Sequence, residues 1–240
     1  MIDLQPFEYQ HDGVTLTGRL AMPRQTGPRP AVLVFHHANG PSQFDCDRAQ
    51  RLADSGYVAF APDLFGFGWR ESPPEDYVPI FRAFHDDPSF VRGRLRAAME
   101  ALRSLPEVDP ARISAIGFCL GGFCALELAR SGADLVSIVS FHGLLTTRQP
   151  AELGAVKAKV LVLTGALDPF APPADVQRLQ EEMAAAKVDL HLTIYGSGYH
   201  AFTNPAPEQN GIAGVHYDAM LDKLSWAQAM AALEAFSVSS

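Results

Sequence analysis

Residues 113–129 read ISAIGFCLGGFCALELA, and this stretch decides the fold that the sequence predicts. A short apolar run leads into Gly117, Phe118, Cys119, Leu120 and Gly121, and an alanine- and leucine-rich helical pattern follows. A nucleophile between two glycines, after a strand and before a helix, is the pattern of a nucleophile elbow. The glycines are needed because the turn holds its nucleophile in a strained conformation against the neighbouring strand and helix. The sequence therefore predicts a reactive cysteine at position 119.

On both sides of this turn, apolar runs typical of buried strands alternate with helical patterns. The runs PAVLVFHH at 30–37 and VLVLT at 160–164 are suited to strands that are buried on both faces of a parallel sheet. Near the amino terminus, residues 7–21 predict a β-hairpin with Asp12 and Gly13 in its turn. The alternation favours an α/β-hydrolase fold, in which an antiparallel hairpin precedes a mostly parallel sheet with helices on both faces.

The chain contains no repeat and no linker, so we expect a single domain over residues 1–240. Residues 70–89 carry four prolines and a group of acidic residues. We interpret this stretch as an insertion over the active-site edge of the sheet rather than as a separate domain.

Bulk composition excludes several classes of partner. The net charge of −8 and a pI near 5.4 argue against nucleic acid or an anionic membrane surface. No apolar run approaches the ~20 residues of a membrane span, and the amino terminus lacks a signal-peptide pattern. Three widely spaced cysteines do not form a disulfide framework. We expect a cytoplasmic protein with a small-molecule partner, and the sequence leaves its oligomeric state open.

A cysteine nucleophile needs a base, and the base needs a carboxylate to orient it. In α/β-hydrolase chains the three come in the order nucleophile, acid, histidine, each in a loop after a strand. Asp168 lies four residues past Thr164, the end of one predicted strand, and His200 lies five residues past Tyr195, the end of the next. Since adjacent parallel strands end at one edge of a sheet, the sequence predicts a Cys119–His200–Asp168 triad.

The same chemistry requires two N–H groups that stabilise a developing oxyanion. One is expected to be the backbone N–H of Leu120, at the amino terminus of the elbow helix. The other is expected from the loop after residues 30–37, at the N–H of Ala38.

Each candidate also has a purely structural interpretation. Cys119 could be a buried core thiol, Asp168 before Pro169 could cap a turn, and His200 could be a hydrogen-bonded loop residue. The neighbouring histidines His36 and His37 suggest a metal, but adjacent strand residues point to opposite sides. Because no third ligand is spaced to complete a site, no metal is predicted.

Three segments resemble the dienelactone hydrolase family of α/β hydrolases: GFCLGG at 117–122, GALDPFAP at 165–172 and GSGYHAFTNP at 196–205. The resemblance covers essentially the whole chain. It implies that Cys119 is the nucleophile, His200 the base and Asp168 its orienter. It also implies hydrolysis of a carboxylic ester or lactone without a metal or an organic cofactor.

The chain departs from the best-known members of that family at the expected substrate site. They carry a glutamate where His37 stands, and an arginine four residues after the catalytic histidine, where this chain has Asn204. A second family arginine has Arg70 as its counterpart. Loss of half a carboxylate clamp removes an interaction of ~1.5–3 kcal/mol. We therefore expect a neutral or differently shaped ester or lactone, with His37, Arg70 and Asn204 as substrate-binding candidates.

Two non-hydrolytic functions remain as alternatives. One is a hydrolase-fold protein that binds a ligand without turnover, although a binding module has no need of a base and an orienter. The other is a thiol redox sensor. Cys124 is five residues further along the elbow helix, a poor distance for a disulfide with Cys119.

Overall fold

The computed structural model describes residues 4–69, 74–205 and 211–237, and its eight strands belong to one sheet. The strands are β1 (Gln5–His11), β2 (Val14–Ala21), β3 (Arg29–Phe35), β4 (Val58–Ala61), β5 (Val108–Phe118), β6 (Ser137–Phe141), β7 (Lys159–Gly165) and β8 (Leu190–Tyr195). The helices are α1 (Gln43–Asp54), α2 (Pro74–Asp86), α3 (Pro88–Arg103), α4 (Leu120–Arg130), α5 (Pro173–Ala185) and α6 (Ala219–Ser237).

The strand order in the sheet is β1-β2-β4-β3-β5-β6-β7-β8. β1 pairs antiparallel with β2, and β2 pairs antiparallel with β4. The other neighbouring strands are parallel. The predicted fold is therefore confirmed, including the amino-terminal hairpin ahead of a mostly parallel sheet.

Two apolar cores lie on the two faces of this sheet. Leu33 and Phe35 of β3 point into one core, which is covered by α3, α4 and α5. Val32 and Val34 of the same strand point into the other, which α1 and α6 cover. Successive residues of β3 are thus buried on opposite faces of the sheet. This explains why the strand is a continuous apolar run.

Residues 74–86, within the predicted insertion, are helical. They form helix α2, which begins at Pro74 and contains Pro79. Glu75 and Asp76 lie in its first turn, where carboxylates favour a helix amino terminus. Phe84 anchors the helix to the core, with its ring 5.9 Å from that of Phe65.

Among the described residues, no helix combines the length and the apolar character needed to cross a membrane.

Candidate active site

The residue at the centre of the site is Cys119, at the turn between β5 and α4. It has φ +55° and ψ −115°, a conformation that side-chain-bearing residues rarely adopt. A Cβ at Gly121 would lie 2.0 Å from the carbonyl oxygen of Phe35, and a Cβ at Gly117 would lie 2.0 Å from that of Gly121. Only glycines let strand and helix approach this closely, as the sequence pattern predicted.

The structure brings the three predicted triad residues together. Nε2 of His200 lies 3.1 Å from Sγ of Cys119, and Nδ1 of His200 lies 2.9 Å from Oδ2 of Asp168. The other carboxylate oxygen of Asp168 accepts a hydrogen bond of 2.8 Å from the N–H of Phe170. Asp168 and His200 are buried, whereas Cys119 is partly exposed. Cys119 is thus open to solvent, and the imidazole beside it is held in place by the Asp168 carboxylate.

The loops that carry Asp168 and His200 are pressed against each other because β7 and β8 are neighbours. A Cβ at Gly165 would lie 2.2 Å from the carbonyl oxygen of Gly198. The same carbonyl accepts a hydrogen bond of 2.9 Å from the N–H of Leu167. Two glycines therefore let the two loops pack backbone against backbone, which brings carboxylate and imidazole within hydrogen-bonding distance.

Cys119 and His200 stabilise each other's charged forms. Burial by itself would raise the pKa of the Cys119 thiol, but the charge and hydrogen bond of His200 bring it below its ordinary value. Burial would lower the pKa of His200, yet the Cys119 thiolate and the Asp168 carboxylate raise it. Both directions favour the thiolate of Cys119 and the imidazolium of His200.

The two N–H groups expected in an oxyanion hole both reach the nucleophile. Hydrogen bonds from the backbone N–H groups of Leu120 and Ala38 contribute to the lowered pKa of Cys119. Ala38 belongs to the loop between β3 and α1. The amino terminus of α1 is fixed by a capping box between Ser42 and Asp45. A backbone donor thus comes from each of the two predicted segments.

Of the three substrate-binding candidates, His37 is buried in an aromatic stack. Its ring centroid lies 5.8 Å from that of Phe118 and 5.9 Å from that of His142. Burial, followed by the charge of His200, lowers the pKa of His37 to about 3. The imidazole of His37 is therefore held in its neutral form.

The two remaining substrate-binding candidates are Asn204 and Arg70. Asn204 is buried, four residues after His200, and its backbone N–H donates a hydrogen bond of 2.9 Å to the carbonyl oxygen of Ala201. Arg70 lies outside the described residues.

A further histidine, His142, reaches the site although it was not among the predicted residues. It directly follows β6, and its Nδ1 accepts a hydrogen bond of 3.1 Å from the backbone N–H of Cys119. Its Nε2 lies 2.8 Å from Oγ1 of Thr203. A signal was present in the sequence, because a histidine that ends the strand between the elbow and the Asp168 strand must lie at the same edge of the sheet.

Exposed apolar side chains lie beside the base. Phe170 is 45% exposed, and its ring lies 4.8 Å from that of His200. Leu167, on the same loop, is 47% exposed. A substrate group that leaves toward His200 would therefore meet an apolar surface.

The neighbouring histidine His36 is hydrogen-bonded at both ring nitrogens. Nδ1 lies 2.7 Å from the carbonyl oxygen of His37, and Nε2 accepts from the N–H of Leu64. Within residues 4–69, 74–205 and 211–237, no three His, Cys, Asp or Glu side chains are grouped to hold a metal ion.

The chain is similar to proteins of one family. The family model for the dienelactone hydrolase family matches residues 16–237. A protein from Aquifex aeolicus, provisionally named a carboxymethylenebutenolidase, is 27% identical over 210 residues, which cover 85% of this chain and 89% of that protein.

Two solved structures are similar over nearly their whole length. The protein m3DLH is 36% identical, with a TM-score of 0.92 and coverage of 98% of both chains. A dienelactone hydrolase-like promiscuous phosphotriesterase from metagenomic libraries is 34% identical, with a TM-score of 0.91 and again 98% of both chains.

Proposed function

The chain belongs to the dienelactone hydrolase family and is a hydrolase of the ester or lactone type, and we propose that its reaction runs through Cys119, His200 and Asp168. One observation carries the proposal: His200 contacts the nucleophile through Nε2 at 3.1 Å and the carboxylate through Nδ1 at 2.9 Å. These are the contacts that a base needs when it serves a nucleophile and is oriented by an acid.

The proposed reaction has two halves. The Cys119 thiolate attacks the acyl carbon, and the oxyanion that forms accepts hydrogen bonds from the N–H groups of Ala38 and Leu120. When the tetrahedral intermediate collapses, the C–O bond breaks and the imidazolium of His200 protonates the leaving alkoxide. The product of this half is a thioester on Cys119. Neutral His200 then removes a proton from water, and the hydroxide attacks the thioester to release the acid and restore the thiolate.

The substrate is proposed to be an ester or lactone without a carboxylate near the reacting bond. Asn204 stands in the place of a family arginine, and the imidazole at His37 is neutral. Neither supplies the charge-assisted bond that would bind a carboxylate. The exposed ring of Phe170 beside His200 favours an apolar or aromatic leaving group.

Phosphotriester hydrolysis at the same site is a second candidate. The solved phosphotriesterase is 34% identical over 98% of the chain, and a neutral phosphotriester also has no carboxylate to bind. The thiolate would attack phosphorus and expel an alkoxide or aryloxide, which the imidazolium of His200 protonates, while the phosphoryl oxygen takes the place of the acyl oxyanion. Neutral His200 would then remove a proton from water, and the hydroxide would cleave the S–P bond to release the phosphodiester and restore the thiolate.

Ligand binding without turnover and thiol redox sensing are less well supported. A protein that only binds a ligand would not need the contacts of His200 with Cys119 and Asp168. For a redox sensor, the nearest candidate partner in sequence is Cys124. Its side chain is buried in the core, and burial raises its pKa well above the ordinary value, so it is a poor resolving thiol.

Hydrolysis of p-nitrophenyl acetate by the wild type, Cys119→Ala and Cys124→Ala tests the proposal. Cys124→Ala is the matched control, because it removes a buried thiol from the same helix. We expect the wild type and the control to be active and Cys119→Ala to be inactive. Equal activity of all three, or inactivity of the wild type on every substrate tried, would contradict the proposal.

A substrate panel then tests the substrate class. It holds neutral lactones, aryl acetates and the neutral phosphotriester paraoxon, together with lactones that carry a free carboxylate. Higher kcat/KM on the neutral members supports the proposal, whereas selectivity for the carboxylate-bearing lactones would overturn it.

A further inference from the structure

We propose that His142 is a positioning residue that ties the nucleophile turn to the loop of the base. The proposal rests on the function proposed above, because it concerns the alignment of Cys119 with His200. His142 contacts the backbone of one and the loop of the other, and it is fully buried.

The contacts of His142 require one tautomer. The N–H of Cys119 is shared between the carbonyl oxygen of Phe141, at 3.0 Å, and Nδ1 of His142, at 3.1 Å. Nδ1 is thus an acceptor and carries no proton. In a neutral ring the proton is then on Nε2, which donates to Oγ1 of Thr203 at 2.8 Å.

The backbone holds the imidazole in this position. His142 has φ +39°, and its N–H donates a hydrogen bond of 2.8 Å to the carbonyl oxygen of Leu163 in β7. The next residue, Gly143, packs against Gly122 of the elbow helix, where a Cβ at Gly122 would lie 2.8 Å from Cα of Gly143. Since the two bare backbones touch, the end of β6 is fixed next to the nucleophile turn.

On the other side of the ring, Thr203 is anchored independently. It lies three residues after His200, and its carbonyl oxygen accepts a hydrogen bond of 3.2 Å from Arg48. Arg48 is held in turn by an ion pair of 2.6 Å with Asp222. A continuous set of contacts therefore runs from the N–H of Cys119 through His142 to the loop of His200.

The surroundings keep the imidazole of His142 neutral. Burial, then the charge of His200, then the nearby His37 hold the pKa of His142 well below its ordinary range, and Arg48 acts in the same direction. The ring centroid of His142 lies 5.3 Å from that of His200. The added proton is thus held by His200, which faces the thiolate of Cys119. His142 stays neutral, and its Nδ1 remains an acceptor for the N–H of Cys119.

Three variants separate the two hydrogen bonds of His142. His142→Leu removes both. His142→Asn keeps a carbonyl oxygen close to the position of Nδ1 and tolerates a positive φ, but it is too short to reach Thr203. Thr203→Val removes the hydroxyl and leaves the backbone of residue 142 unchanged.

We expect kcat for p-nitrophenyl acetate to fall about tenfold in His142→Leu, which loses both hydrogen bonds, and by a smaller factor in Thr203→Val, which loses one, with KM nearly unchanged. His142→Asn should recover part of the loss, because it restores an acceptor for the N–H of Cys119. Adding Thr203→Val to His142→Leu should reduce kcat no further, since the hydroxyl acts through the imidazole. Multiplied losses in the double variant, or unchanged kcat in both single variants, would overturn the proposal.

The pH dependence of iodoacetamide labelling at Cys119 supplies a second readout that needs no turnover. If His142 aligns the pair, the labelling midpoint of His142→Leu and Thr203→Val moves up toward that of an ordinary thiol. A lower melting temperature with an unchanged midpoint would mean a merely structural role and would contradict the proposal. If His142→Leu does not fold, Thr203→Val and His142→Asn carry both measurements. Because labelling does not depend on hydrolysis, failure of the proposed function is distinguishable from failure of this one.

Discussion

The Sγ atom of Cys119 lies 3.1 Å from Nε2 of His200, although 81 residues separate the two in the chain. The contact is made across the carboxyl edge of the sheet, between the turn after β5 and the loop after β8. Against the opposing effects of burial, this contact lowers the pKa of the Cys119 thiol and raises the pKa of His200, so each charged form favours the other.

The ionisation of Cys119 is directly measurable. The lowered pKa of Cys119 means that the thiolate persists at a pH where an ordinary thiol is protonated, and it is lost only as the pH falls through that lowered value. We expect the rate of iodoacetamide labelling to have a midpoint clearly below ~8.5. Cys119→Ala is the control for labelling at Cys46 and Cys124. A midpoint near ~8.5 would show that no resting ion pair exists.

Asp168→Asn should impair His200 as a base while it keeps a side chain of similar size at position 168. The amide lacks the charge that raises the pKa of His200, and it can favour the wrong tautomer of the imidazole. We expect kcat to fall by roughly a thousandfold or more, and the labelling midpoint of Cys119 to rise. Asp175→Asn is the matched control, since that carboxylate pairs with the exposed Arg178. Comparable losses in both variants would argue against a special role for Asp168.

Gly121→Ala should damage the fold as well as the site. The new Cβ would lie 2.0 Å from the carbonyl oxygen of Phe35, so α4 would have to move away from β3. We expect the free energy of unfolding to fall by on the order of 3 kcal/mol. At Gly196 a Cβ would meet nothing within 4 Å, and Gly196→Ala is expected to be within about 0.5 kcal/mol of the wild type. Urea unfolding of the two variants checks the difference, and equal stabilities would contradict the packing argument.

Arg130→Met should lower the free energy of unfolding far more than Arg178→Met, which affects an exposed ion pair. Arg130 is buried between Glu127, at 3.0 Å, and Glu182, at 2.8 Å, so its removal leaves carboxylates without part of their compensation. We expect a loss of about 3–5 kcal/mol in the free energy of unfolding. Arg178→Met breaks an exposed pair with Asp175 and is expected to lose at most about 1 kcal/mol. A small effect of Arg130→Met would indicate that Arg92, which also pairs with Glu127, compensates alone.

The parts of the fold that could be predicted are those in which local pattern and burial agree. Tyr195 was expected to end a strand, and it is the last residue of β8. Helix α2 was not predicted, because the prolines and acidic residues of 70–89 indicated only an insertion. β5 begins at Val108, before Pro110, because its first residue still pairs with Arg29 across an irregularity in the register.

At the site, the sequence predicted which side chains meet but not how the environment tunes them. Strand order was sufficient to place Asp168 and His200 at the edge that carries Cys119. The neutral state of His37 depends on burial and on the charges of His200, His36 and Arg48, of which only His36 is adjacent in sequence. The contact of His142 is with a backbone N–H, which residue types alone do not reveal.

Because β8 is the last strand of the sheet, we expect the two halves of the site to differ in their resistance to heating. β5, which leads to Cys119, is flanked by β3 and β6, whereas the loop of His200 follows a strand at the border. Border strands fray at a lower free energy than central ones. We expect amide hydrogens of β8 to exchange faster than those of β5, and heating to switch the enzyme off reversibly before its helices melt.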